Sequence, residues 1–215
     1  MSGERQMSEV AGEELWLYFP TPFMRHIWRD GEQLNKELRA AILGQERASP
    51  GRSRTNVGGW HSEPGDLAFC GAAGGRLIDH MVEMTNIATY KLMQGFGQQP
   101  PPFNWTVQAW ANVNRNGDFN RTHTHPGSTW SGTYYVDTGD PPEGSENGTP
   151  LNLMDPCQGR ANTFFPILVP SVAYVRPEPG LMVLFPSYVP HMVYAHRGNR
   201  PRISIAFNVR KEPFP

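Results

Sequence analysis

The sequence predicts a mainly β fold with α-helices in its N-terminal part. Three observations carry this. First, 21 prolines and 22 glycines punctuate the 215 residues into short runs, as turn-rich antiparallel folds require. Second, the texture changes after Pro102, where short strand-like segments follow one another between Pro/Gly breaks. That pattern argues for an antiparallel sandwich or jelly roll rather than for βαβ units. Third, two stretches before Pro100 repeat apolar residues at helical spacing.

Residues 1–11 are polar and read as a frayed end. Leu15 to Phe19 is an apolar run stopped by Pro20, which predicts a short strand. Gly31 to Gln45 places Leu34, Leu38, Ala41 and Ile42 on one helical face. Residues Glu46–Gly65 are rich in Pro, Gly, Ser and Arg and read as a loop. Arg76 to Phe96 carries Leu77, Met81, Met84, Ile87 and Leu92 at the spacing of a second helix, and this stripe reads as core. Strands are then expected at Trp105–Asn114, Thr129–Val136, Leu151–Met154, Val172–Arg176, Leu181–Phe185 and Ile203–Val209, with a long turn-rich loop at Asp137–Gly148. The expectation is a single domain over 1–215: a helical part to about residue 100, packed outside a jelly-roll core from about 103 to 215.

Charge and composition exclude several classes. The 19 basic and 20 acidic side chains nearly cancel, so nothing points to nucleic acid or to an anionic membrane. No apolar run is long enough to span a bilayer, and the N-terminus shows no secretory signal. Cys70 and Cys157 are the only cysteines, which argues against a disulfide framework and for a reduced, cytoplasmic setting. Oligomeric state is not fixed by the sequence, and a homo-oligomer is compatible with it.

The chemistry concentrates in Gly117–Tyr135, GDFNRTHTHPGSTWSGTYY. In an extended segment, residues i and i+2 share a face, so His123 and His125 would aim into one cavity from one strand. Imidazole suits iron, zinc, copper and nickel, and two imidazoles need at least one more ligand. His191 is the candidate third ligand. It follows the apolar strand opened by Gly180 and ended by Pro186. A lone histidine in a β core is commonly a hydrogen-bonded core residue; the grouping of three argues for a metal.

At Arg202–Asn208 the chain alternates again. Arg202, Ser204 and Ala206 share one face and Ile203, Ile205 and Phe207 the other. An arginine on the inner face of a β core is costly unless it meets an anion. A guanidinium beside a hydroxyl makes a receptor for one carboxylate. Arg200 has the same parity but lies nearer the turn. Asn112 and Asn114 share a face, and an amide there reaches co-substrate or substrate if that face is internal. Trp105, Trp110 and Trp130 read as core aromatics, His26, His61 and His80 as structural, and His196 as exposed or on the pocket rim.

These residues resemble the iron(II)/2-oxoglutarate-dependent oxygenases, in particular their small bacterial and phage-type branch. The resemblance runs from Phe19-Pro20-Thr21-Pro22, through Asn56–Ser62 and His123–Tyr135, to Arg202–Asn208. It implies a double-stranded β-helix, a cupin-like barrel, with iron(II) and 2-oxoglutarate as metal and co-substrate. His123, His125 and His191 would be the metal ligands and catalytic centre. Arg202 with Ser204 would take the far carboxylate of 2-oxoglutarate, and Tyr135 lies where related enzymes place a tyrosine on the co-substrate.

The chain departs from the superfamily pattern at one position, where His125 stands in place of an Asp or Glu. Three neutral imidazoles leave a metal site one charge more positive than two imidazoles and a carboxylate. Asp118 or Asp137 remains an alternative second ligand, with His125 then outside the coordination sphere. The resemblance thus implies an oxygenase acting on an unknown small-molecule or protein substrate. A three-His dioxygenase without a 2-oxo acid and a non-catalytic jelly-roll binding module remain the alternatives.

Overall fold

The computed structural model describes residues 21–95, 97–98, 103–140, 148–157 and 170–212. The predicted strand at Leu15–Phe19 lies outside these residues. The architecture is mainly β, two antiparallel sheets forming a jelly roll, with helices packed on the outside of one sheet.

The larger sheet has six strands: β1 (Met24–Ile27), β9 (Leu181–Pro186), β6 (Trp130–Asp137), β11 (Arg202–Lys211), β4 (Trp105–Asn114) and β3 (Trp60–His61), in that spatial order. The smaller has five: β2 (Asn56–Val57), β5 (Phe119–His123), β10 (His191–Val193), β7 (Leu151–Met154) and β8 (Val172–Val175). Every named pairing is antiparallel. β11 is central, paired along its whole length with β4 and over most of it with β6.

Strand alternation gives the larger sheet two different faces. Ile203, Ile205, Phe207 and Val209 of β11 turn outward onto the helices, as do Ala109, Ala111 and Val113 of β4. Helix α1 (Gly31–Ala48) meets them with Leu34, Leu38 and Ile42, and α2 (Gly71–Gly95) with Leu77, Met81 and Met84. On the other face Tyr135, Leu181, Val183 and Phe185 pack toward the smaller sheet. That inward face also holds the polar residues of the site.

Several boundaries differ from the sequence expectation. α1 runs on to Ala48, and α2 begins at Gly71 rather than Arg76. The first turn of α2 is Gly- and Ala-rich and carries no apolar stripe. It nevertheless packs closely: a Cβ on Gly74 would strike the Leu67 carbonyl and lie 3.1 Å from Cys70 Cβ. The expected loop at 46–65 contains β2 and β3, each two residues long, too short for any periodicity to reveal. β1 and β5 were likewise not separated from their surroundings by pattern alone. Among the described residues no helix is long and apolar enough to cross a membrane.

Candidate active site

His123, His125 and His191 converge inside the jelly roll. One ring nitrogen of each lies within 4.8 Å of the others. His123 ends β5 and His191 begins β10, and the two residues are direct partners in the antiparallel pair. His125 does not share a strand with His123. It follows the end of β5, and its backbone N–H donates to the Ser187 carbonyl at 3.0 Å. The common aim of these two histidines therefore comes from a chain that leaves the strand before a turn at Pro126-Gly127, not from strand parity.

The hydrogen bonds fix the ring nitrogens. His123 Nδ1–H donates to the Arg121 carbonyl at 2.6 Å and His191 Nδ1–H to the Val189 carbonyl at 2.9 Å. A carbonyl only accepts, so both Nε2 atoms carry the lone pair a metal needs. Nε2 of His125 lies 3.2 Å from Nε2 of His191. Adjacent nitrogens on one metal, each about 2.1 Å from it, are separated by roughly 3.0–3.4 Å. The donor set therefore fits a divalent transition metal that accepts imidazole. Burial lowers the proton affinity of all three rings, and His123 adds to the effect on the other two. His125 is brought down to about 4 and His191 to about 3, so the site is neutral and ready to ligate at ordinary pH.

Neither carboxylate alternative joins the triad. Asp137 bonds Arg39 Nε at 3.0 Å and Arg200 Nη2 at 3.0 Å. Asp118 Oδ2 accepts the Arg115 backbone N–H at 2.7 Å. No Asp or Glu belongs to the cluster of potential metal ligands found among the described residues.

The triad opens into a cavity of about 370 Å³ between the sheets, which also receives Arg202, Ser204 and Asn112. Register explains the grouping: Ser204 lies opposite Asn112 on β4 and opposite Tyr135 on β6. Arg202 is 2% exposed. Its Nη1–H donates to Ser204 Oγ at 3.0 Å, while its Nε, fully buried, has no partner. No carboxylate lines the cavity among the described residues. A buried guanidinium with an unused donor in a polar cavity is the receptor a carboxylate ligand would complete. Arg200 is the wrong arginine for this role, because it points to solvent and is occupied by Asp137.

Tyr135 lies beside Arg202, whose Cζ is 5.3 Å from the ring centroid. The Tyr135 hydroxyl is buried and makes no hydrogen bond. Burial pushes its ionisation up to about 12, against the pull of the guanidinium, so it remains a neutral donor.

One sequence reading needs correction, and two residues read as structural or core also face the cavity. His196 is completely buried, not exposed or on a rim. Its Nε2–H donates to the Arg200 carbonyl at 2.9 Å and its Nδ1 accepts from Thr149 Oγ1 at 2.9 Å, which fixes the turn before β11. His61, read as structural, lines the cavity from β3, opposite Asn112 on β4. Trp110, read as core, also lines it, with ring centroids 5.6 Å from His61 and 5.7 Å from His125. The only signal for Trp110 was its shared parity with Asn112.

Residues 108–208 match the family model described as "Putative 2OG-Fe(II) oxygenase". No curated protein matches the sequence. The fold is similar to that of a Pseudomonas putida prolyl-4-hydroxylase, at 17% identity and a TM-score of 0.62, over 89% of this chain and 94% of that one. It is also similar to a prolyl hydroxylase from Trichoplax adhaerens, solved with a peptide fragment of hypoxia inducible factor: 14% identity, TM-score 0.57, 87% and 83% covered. HygX from Streptomyces hygroscopicus, solved with nickel and 2-oxoglutarate bound, matches at 14% identity and a TM-score of 0.57, over 90% and 84%. At such identities the likeness speaks for the fold. The segment that matches the 2OG-Fe(II) oxygenase model is the one that holds the three histidines and Arg202.

Proposed function

We propose that this protein holds iron(II) on His123, His125 and His191 and 2-oxoglutarate on Arg202 and Ser204, and oxidises a substrate at the mouth of the same cavity. The single observation that carries this reading is the meeting, in one cavity, of three convergent imidazoles and a buried arginine without an anion. The oxygenase family whose model residues 108–208 match implies the same metal and co-substrate.

Bound there, iron(II) supplies the redox chemistry that couples dioxygen to decarboxylation of the 2-oxo acid, giving succinate and CO₂, and to oxidation of the substrate. The chain's own residues ligate, orient and shield. The Nδ1–H bonds of His123 and His191 hold their Nε2 lone pairs inward. Arg202 and Ser204 offer N–H and O–H donors to the far carboxylate, with Tyr135 and Asn112 as additional polar neighbours. Phe185, Leu151 and Val193 form apolar wall beside the triad and limit the approach of water. We read the helical part and the jelly roll as one functional unit, because α1 and α2 cover the outer face of the sheet that carries Arg202.

Anaerobic addition of iron(II) and then 2-oxoglutarate tests the reading. The expected result is one iron per chain and a weak metal-to-ligand charge-transfer band that saturates with the 2-oxo acid. Iron binding without any response to 2-oxoglutarate would favour a three-His dioxygenase that uses no 2-oxo acid.

A further inference from the structure

We propose that the primary substrate is an anion, with a carboxylate or phosphate group held at the cavity mouth by Arg54 beside His61. The inference rests on the oxygenase reading above and names the chemical class that the same site would oxidise.

Two features carry it. The first is the complete absence of Asp and Glu from the cavity lining among the described residues, against two arginines, Arg54 and Arg202. Some surface arginines find acids, as Arg52 does with Glu63, Arg115 with Glu46 and Arg76 with Glu37; what sets Arg54 apart from the other unpaired arginines is its place in the cavity lining. Arg54 forms no side-chain hydrogen bond or ion pair among the described residues. A substrate amine would meet two guanidiniums and no carboxylate in the lining, the nearby Glu63 being paired with Arg52.

The second feature is that the backbone of Arg54 is held although its side chain is exposed. Its backbone N–H donates to Asn56 Oδ1 at 2.7 Å, and Asn56 Nδ2–H reaches the carbonyls of Gly58 and Gly59 at 3.2 and 3.3 Å. Asn56 lies in β2, which pairs with β5, the strand that ends at His123. Burial lowers the proton affinity of His61, and the field of Arg54 adds to it, against the backbone hydrogen bonds and the weaker, opposite field of Glu63. His61 Nδ1–H donates to the Ser62 carbonyl at 2.6 Å, which leaves Nε2 as an acceptor in the cavity. A substrate with an acidic group and a nearby hydroxyl or N–H would satisfy both residues.

The charge balance favours the same class. The candidate ligands are three imidazoles, and no carboxylate lines the cavity among the described residues, so a bound dication is not offset by any protein carboxylate there. Dianionic 2-oxoglutarate offsets only part of the charge of the metal and the two guanidiniums, and the filled site remains positive. A cleft of one sign between low-dielectric walls concentrates ligands of the other sign.

The test uses zinc-loaded protein saturated with 2-oxoglutarate and four probes built on one ring: benzoate, phenyl phosphate, benzamide and benzylamine. Affinities are read by ligand-detected NMR. One or both acids should bind roughly tenfold more tightly than benzamide, and benzylamine should bind most weakly. The stronger of the two acids tells carboxylate from phosphate recognition. Arg54→Gln should cut the preference for acids about fivefold or more and Arg54→Lys should retain most of it, with 2-oxoglutarate affinity changing less than about twofold in both. Benzamide or benzylamine binding as tightly as the acids, no acid binding at all, or an acid preference undiminished in Arg54→Gln would each overturn the proposal. Failure of the oxygenase reading itself would show separately, as metal-loaded wild type that does not bind 2-oxoglutarate.

Discussion

His123 and His191 face one another across the β5–β10 pair, with ring centroids 4.3 Å apart, and each donates its Nδ1–H to the carbonyl two residues before it. The same local device, used twice from opposite strands, sets both tautomers and leaves both Nε2 atoms free. His125, between the end of β5 and the turn at Pro126-Gly127, completes the set without such a ring-to-backbone bond among the described residues. The rings of His123 and His191 are therefore positioned before metal arrives.

Replacing His123, His125 or His191 by Ala should each abolish stoichiometric metal binding, while Asp118→Asn and Asp137→Asn should retain it. Metal content by atomic emission after anaerobic loading checks this. Retained metal in His125→Ala with loss in either Asp variant would make a carboxylate the second ligand and His125 a neighbour of the site.

Stability without metal should fall with acid. Burial lowers the proton affinity of the folded-state histidines below the ordinary value of 6.5, to about 4 for His125 and about 3 for His191. Below pH 6.5 the unfolded chain then binds more protons than the folded one, so acid favours unfolding. The contribution is complete above that pH and is lost as pH drops from there toward the folded values. For the nearly buried His191 the limiting slope is about 1.4 kcal/mol per pH unit. Thermal melts of the metal-free protein between pH 7.5 and pH 4 should show this decline, and His191→Gln should flatten it. Equal slopes in the two proteins would contradict the assignment.

The larger parts of this site were legible because strand parity is a strong signal. The alternation of Arg202 and Ser204 with Ile203 and Ile205 put the guanidinium inside, and it is inside. Helix stripes at Leu34–Leu38–Ile42 and Leu77–Met81–Met84 were equally readable. Other features have no local signature. β3 is two residues long, so His61 could not be assigned a face from its neighbours. His125 reaches the cavity by a turn geometry that a period-two argument does not describe. His196 is buried by contacts with Thr149 and Arg200, and Thr149 is far away in sequence. Short strands and tertiary hydrogen bonds were what pattern reasoning could not supply.

Gly132 marks a close approach that only the structure reveals. A Cβ there would collide with Phe207 Cζ and the Val183 carbonyl oxygen, and would lie 2.7 Å from Phe207 Cε1. Neither neighbour has room to yield, since Phe207 is buried and Val183 belongs to the adjacent strand β9. Gly132→Ala should destabilise by about 1–3 kcal/mol through overpacking. Urea unfolding checks this, with the slope unchanged and the midpoint lowered. An unshifted midpoint would mean that β6 and β11 adjust freely.

Arg202→Met should move stability and ligand binding in different directions. The guanidinium is buried, with one bond to Ser204 Oγ and an unpartnered Nε, and burial disfavours its charged form. Removing a buried charge that lacks an anionic partner relieves a desolvation cost, and methionine is long and flexible enough to occupy the space. The metal-free, co-substrate-free variant should therefore melt at the wild-type temperature or higher. With 2-oxoglutarate the sign reverses, because the wild-type pair is charge-assisted and each hydrogen bond to a charged group contributes about 1.5–3 kcal/mol. The variant should bind 2-oxoglutarate about ten- to a hundredfold more weakly, with metal affinity nearly unchanged. Ser204→Ala should cost less, since water can replace its hydroxyl, and Arg200→Met should leave co-substrate binding alone because that side chain is held outside by Asp137. Isothermal titration of manganese-loaded wild type and the three variants, with parallel melts, separates the two effects. A variant that is strongly destabilised without ligand would show that Arg202 already has its counter-charge in the protein, and equal 2-oxoglutarate affinity would remove it from the binding site.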